Sequence, residues 1–122
     1  MQTLIYMVRH AEATYEGNER TRGLTAKGKL DAEKVTNLLL GEGIDVIISS
    51  PYSRAVQSVE GLARHFHLEI ETYEDLRERH FASDYIMDLT SNIRDNFYNF
   101  EYALPGGESN AECQNRAVAV LK

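Results

Sequence analysis

The 122 residues carry 43% apolar and 26% charged side chains, an ordinary globular composition that predicts one domain with one core. A formal charge of −6 excludes a surface built for nucleic acid or anionic membrane, so any bound phosphate must meet a local cationic pocket. Cys113 stands alone, which excludes an intrachain disulfide and suits a reducing, cytoplasmic setting.

Thr3 to Val8 is a short, nearly continuous apolar run, the pattern of a strand buried on both faces. It is too short for a signal sequence or a membrane span, because Arg9 and His10 follow at once. Ala11 to Gly23 is polar and reads as a surface loop. Thr25 then caps a helix with apolar positions Leu30, Val35, Leu38 and Leu39, which Gly41 and Gly43 stop. Asp45 to Ser49 is a second buried strand centred on Val46, Ile47 and Ile48.

Ser50-Pro51 has the form of a cap followed by proline at the first helical position, opening a helix through Val56, Val59, Leu62 and Ala63 to about Phe66. Leu68 to Tyr73 alternates apolar and acidic residues, as an edge or half-exposed strand does. The order β-α-β-α-β predicts a parallel sheet with helices on its faces. A helix is expected from Ala82 to about Asn96, and Pro105-Gly106-Gly107 breaks the chain. Ser109-Asn110-Ala111-Glu112 matches a capping box that starts a final helix. Tyr85, Phe97, Tyr98, Phe100 and Tyr102 are expected to pack in the core.

Ligands of open α/β sheets sit beyond the carboxyl ends of the strands, and three groups are expected there. Arg9 and His10 end the first strand, Ser49, Ser50 and Arg54 leave the second, and Glu78 follows the third. Two guanidiniums, an imidazole and a carboxylate suit phosphoryl transfer, which asks for positioning and charge neutralisation. Arginine grips phosphate oxygens bidentately, a neutral imidazole nitrogen attacks phosphorus, and a carboxylic acid protonates the leaving oxygen. His65 and His67 fall at a helix C-terminus and read as structural, and the scattered histidines offer no metal site. His80 is close enough to Glu78 in sequence to line a pocket.

Five segments share one resemblance. Val8-Arg9-His10-Ala11-Glu12, Leu24-Thr25 with Gly28, Ser49-Ser50-Pro51-x-x-Arg54-Ala55-x-Gln57-Ser58, Leu76-x-Glu78-Arg79 and Pro105-Gly106-Gly107-Glu108-Ser109 resemble, in order, the motifs of the histidine phosphatase (phosphoglycerate-mutase-like) superfamily. The resemblance implies a three-layer α/β/α fold with a mostly parallel sheet. It makes His10 the phosphohistidine nucleophile, Arg9 and Arg54 the phosphate-binding residues, and Glu78 the catalytic proton donor. It implies neither metal nor organic cofactor.

Ala11 replaces the usual glycine, and the short loop from Ala13 to Gly23 lacks the features of mutase-type members. The expectation is therefore a phosphomonoester hydrolase acting on a small phosphorylated metabolite, with a phosphate-binding pseudo-enzyme or a mutase as alternatives. Family members continue past the position of Lys122 with a strand carrying a second histidine. One domain over residues 1–122 is accordingly expected to be incomplete at its C-terminus, lacking a strand and a helix. Leu4 to Val8 would then offer a bare sheet edge, which predicts a homo-oligomer.

Overall fold

The computed structural model describes residues 2–80, 99–103 and 106–122. These fall into two compact units, residues 1–74 and 75–122. The helix expected from Ala82 to Asn96 lies outside the described residues, as do Tyr85, Phe97, Tyr98 and Pro105.

The first unit is built from α1 (Ala26–Leu39), β1 (Ile47–Ser49), α2 (Ser53–Phe66) and β2 (Ile70–Thr72). Strands β1 and β2 pair in parallel, Ile47 against Ile70 and Ser49 against Thr72, with α2 as the crossover. This is the α/β arrangement expected from the order of elements. Ile47, Leu62 and Ala63 are buried at its centre, with Leu39, Ile44, Val59, Phe66, Leu68 and Ile70 packed around them.

Thr25 caps α1 as expected, its hydroxyl oxygen accepting from the Gly28 amide at 3.0 Å. Of the leucines expected to face inward from α1, Leu39 packs against the core, whereas the other two do not. Leu30 and Leu38 are 60% and 77% exposed, whereas Gly28 and Ala32 are buried. The reason is close approach between helices: a Cβ on Gly61 of α2 would stand 3.0 Å from the Thr36 hydroxyl of α1. Ala32 and Thr36 lie one turn apart and leave room for that approach, which leucines would block, while Gly28 lies against Glu12.

Three further boundaries differ from expectation. Helix α2 begins at Ser53, two residues after the expected proline start, and its capping position, Tyr52, makes no side-chain cap. The Ser53 amide is instead satisfied by the Arg20 carbonyl at 2.9 Å, so a loop replaces the serine cap. Val46, expected at the heart of β1, precedes the strand and is 60% exposed. Thr3 to Val8 forms no strand, and Leu4 and Met7 are 75% and 84% exposed. A buried strand needs a partner for its backbone and a cover for both faces, and the described residues supply neither.

The second unit holds α3 (Asn110–Leu121), which begins as the sequence predicts. Ser109 accepts from the Glu112 amide at 3.1 Å, and the Glu112 carboxylate accepts from the Ser109 amide at 3.2 Å. Phe100 and Tyr102, expected in the core, are 49% and 37% exposed. Cys113 lies on this helix, and burial pushes its thiol above the usual range, which disfavours the reactive thiolate.

Candidate active site

In the first unit, the motif residues are fastened to one another across the chain. Residues 11–14 run beside 23–25, bridged at Ala13 and Leu24, with the Thr14 amide on the Gly23 carbonyl at 2.9 Å. The Thr25 amide donates to the Glu12 carbonyl at 3.0 Å, and the Thr25 hydroxyl donates to the Glu12 carboxylate at 2.8 Å. Gly28 must be glycine here, since a Cβ would collide with that same Glu12 carbonyl. Helix α2 holds both runs: Gln57 accepts from the Leu24 amide at 2.8 Å, and Ser58 accepts from the Ala11 amide at 2.9 Å.

His10 stands half-buried just before the Ala11 anchor. Its Nδ1 lies 2.7 Å from the Ala11 carbonyl oxygen. A carbonyl can only accept, so Nδ1 carries a proton, and in the neutral ring the lone pair is then on Nε2. That is the tautomer a nitrogen nucleophile needs.

Arg54 lies in the first turn of α2 and is 3% exposed, and the other buried polar residues among those described are all serines. Its carbonyl accepts from the Ser58 hydroxyl at 2.7 Å, so the Arg54 turn and the His10 segment share one serine. The guanidinium donates to the Glu19 carbonyl at 2.7 Å, pairs with the Glu19 carboxylate at 3.2 Å and lies 5.0 Å from the Tyr52 ring centre. The other oxygen of that carboxylate is 3.3 Å from Arg22 Nε. Two guanidiniums thus bracket one carboxylate, an arrangement suited to binding an anion. Arg9, next to His10 in sequence, is exposed.

Glu78 belongs to the second unit. It follows a 3-10 turn at Glu74–Leu76 and is exposed. Arg116 donates to its carbonyl at 3.2 Å, and Arg79 donates to the Glu108 carbonyl at 3.0 Å and to Asn110 Oδ1 at 2.6 Å. His80 joins Glu108 through its backbone, the amide on the carboxylate at 3.0 Å and the carbonyl accepting from the Glu108 amide at 2.8 Å. Glu108 is pulled down to about 2 chiefly by its hydrogen bond from Arg116, which overrides the cost of burial.

Residues 5–122 match the model of the histidine phosphatase superfamily, branch 1. The chain belongs to that superfamily. A curated relative, the uncharacterized phosphatase PhoE of Bacillus subtilis, is 28% identical over 104 residues, covering 79% of this chain and 54% of that protein. The mycobacterial glucosyl-3-phosphoglycerate phosphatase with inorganic phosphate superposes with a TM-score of 0.77 at 20% identity, covering 92% of this chain and 57% of that one. YhfR of Bacillus stearothermophilus gives a TM-score of 0.73 at 24% identity, covering 93% and 62%. This histidine phosphatase chain therefore spans about half the length of the curated relative it matches, and the solved structures establish its α/β fold. Among the described residues no helix is long and apolar enough to cross a membrane.

Sequence reasoning named His10, Arg54, Arg9 and Glu78 but missed three residues. Glu19 sits on Arg54, and Arg116 and Glu108 hold the Glu78 loop. Glu108 was marked by its motif without a role, whereas Glu19 and Arg116 carried no spacing signal at all.

Proposed function

We propose that this chain carries the phosphoryl-transfer machinery of a phosphomonoester hydrolase that works through a phosphohistidine. The observation that carries the reading is the Nδ1 hydrogen bond of His10, which puts the lone pair of the neutral ring on Nε2, beside a segment tied to the Arg54 turn. His10 Nε2 attacks phosphorus while Arg9 and Arg54 neutralise the phosphate oxygens. As the new N–P bond forms, the P–O bond to the alcohol breaks, and the Glu78 carboxyl gives the leaving oxygen its proton. Water then attacks phosphorus, Glu78 takes back a proton, and the N–P bond breaks to release inorganic phosphate.

The substrate class is a small phosphorylated metabolite whose leaving group is an alcohol. Membership of the family and the phosphatase named PhoE support hydrolysis over intramolecular transfer.

Incubation with a ³²P-labelled phosphomonoester and rapid quenching should give an acid-labile phosphoprotein. His10→Ala should abolish it. An acid-stable adduct, or one that survives the substitution, removes His10 as nucleophile. Phosphate binding that needs Arg54, with no turnover and no adduct, would mark a phosphate-binding module instead.

A further inference from the structure

The Glu78 loop has an unusual support. Arg116 is the seventh residue of α3, and its guanidinium fork meets both oxygens of the Glu108 carboxylate, through Nε at 3.0 Å and through Nη2 in a short contact. Its Nη1 donates to the carbonyls of Asp75 and Arg77 at 2.7 and 2.8 Å, and its Nη2 donates to that of Glu78 at 3.2 Å. Glu108, held by this fork, in turn binds the backbone amide of His80. One ion pair therefore fixes backbone groups on both sides of Glu78.

Both members are largely withdrawn from water, with side chains 11% and 12% exposed. The cost of desolvating two charges is offset here by hydrogen bonds to nearly every donor and acceptor they present. A lysine could not replace the arginine. Its single ammonium cannot span a carboxylate and three separate carbonyls, a task that needs a planar fork of five donors.

We propose that Arg116, with Glu108, is the positioning residue of the reaction, setting where the Glu78 carboxyl sits when the leaving oxygen departs. The proposal rests on the reading of Glu78 as proton donor. Arg116 acts on the Glu78 backbone, so it governs the acid and not the grip on phosphate, which lies with Arg9 and Arg54.

The chemistry supplies a selective test. An alkyl leaving group is a strong base and needs its proton during bond breaking, whereas p-nitrophenolate leaves unaided. Arg116→Lys should lower kcat/KM, which reports formation of the phosphoenzyme, on an alkyl phosphomonoester such as a sugar phosphate by about 10²-fold, the scale of a 1 Å misplacement or of a lost acid. It should lower kcat/KM on p-nitrophenyl phosphate by less than about threefold, since general-acid assistance matters little there. Inhibition by inorganic phosphate should not change. Glu108→Gln keeps the shape of the pair and should show the same selectivity at a smaller amplitude. In parallel, backbone amides from Arg77 to His80 should exchange faster with solvent in Arg116→Lys, a readout that needs no activity.

Equal loss of kcat/KM on both substrates, or unchanged exchange in the loop, overturns the positioning role. Glu78→Gln separates the two claims. If it is selective by leaving group and Arg116→Lys is not, the acid stands and the positioning role falls. If Glu78→Gln is itself unselective, the acid assignment fails and the positioning role fails with it.

Discussion

The carboxylate bracketed by Arg54 and Arg22 is a competitor for the anion the site would bind. A phosphate arriving at Arg54 Nη2 must displace Glu19, whose carboxylate lies 3.2 Å away. At that separation, the Coulomb attraction is about 5 kcal/mol at an effective dielectric of 20 and about 1 kcal/mol in water. The Glu19 side chain is 70% exposed, so the lower figure applies and the pair is worth about 1 kcal/mol at most. Glu19→Gln keeps the backbone carbonyl that accepts from Arg54 and removes the charge alone. The inhibition constant of inorganic phosphate should then fall by up to about fivefold, the equivalent of that 1 kcal/mol, and the gain should shrink in high salt. Isothermal titration with phosphate at low and high salt measures both effects. Weaker phosphate binding in Glu19→Gln would refute the reasoning, because it would show that Glu19 organises the arginine and does not compete for it.

Three other outcomes follow from the coordinates. His67 ends α2 in the left-handed region at φ 54°, with its amide on the Arg64 carbonyl and the Leu68 amide on that of Ala63, so His67→Gly should raise stability by up to about 1 kcal/mol in urea unfolding at pH 8. Glu108 falls from 4.5 to about 2 in the folded chain, so its contribution is complete above pH 4.5 and is lost as the pH drops towards 2. Acid titration followed by circular dichroism should show a loss on the order of 2 kcal/mol across that window, absent in Glu108→Gln. The exposed run from Leu4 to Val8 is proposed to pair with a second copy of the chain, so light scattering should give a mass above 13.9 kDa that falls on dilution and in Leu4→Lys/Met7→Lys.

Some elements were legible because their signals are local. The Thr25 cap and the Ser109–Glu112 box sit where spacing places them, since each needs side chains within three residues of a free amide. The parallel pairing of β1 with β2 follows from strand, helix, strand in that order. Other features depend on partners that spacing does not specify. Large apolar residues mark Leu30 and Leu38 as a buried face, yet the helix pair selects Ala32 and Thr36, because the Thr36 hydroxyl comes so close to Gly61. The start of α2 depends on Arg20, far back in the loop, giving its carbonyl to the Ser53 amide.

The site divides along the same line. His10, Arg54 and Glu78 could be proposed from the sequence because their chemistry is carried by residue type, and the motifs around them gave the order. What the motifs could not show is that Glu12, Thr25, Gln57 and Ser58 act as fasteners. That role matters more here because residues 2–10 belong to no strand among those described. A residue at the end of a strand takes its position from that strand. His10 is instead placed by the hydrogen bonds that follow it: the Ala11 amide on Ser58, the Glu12 carbonyl on Thr25 and the Thr14 amide on Gly23. Each of these is a net gain of about 1 kcal/mol at most, so their value to catalysis lies in direction more than in strength. Together they aim one imidazole, with its Nδ1 proton already committed to the Ala11 carbonyl.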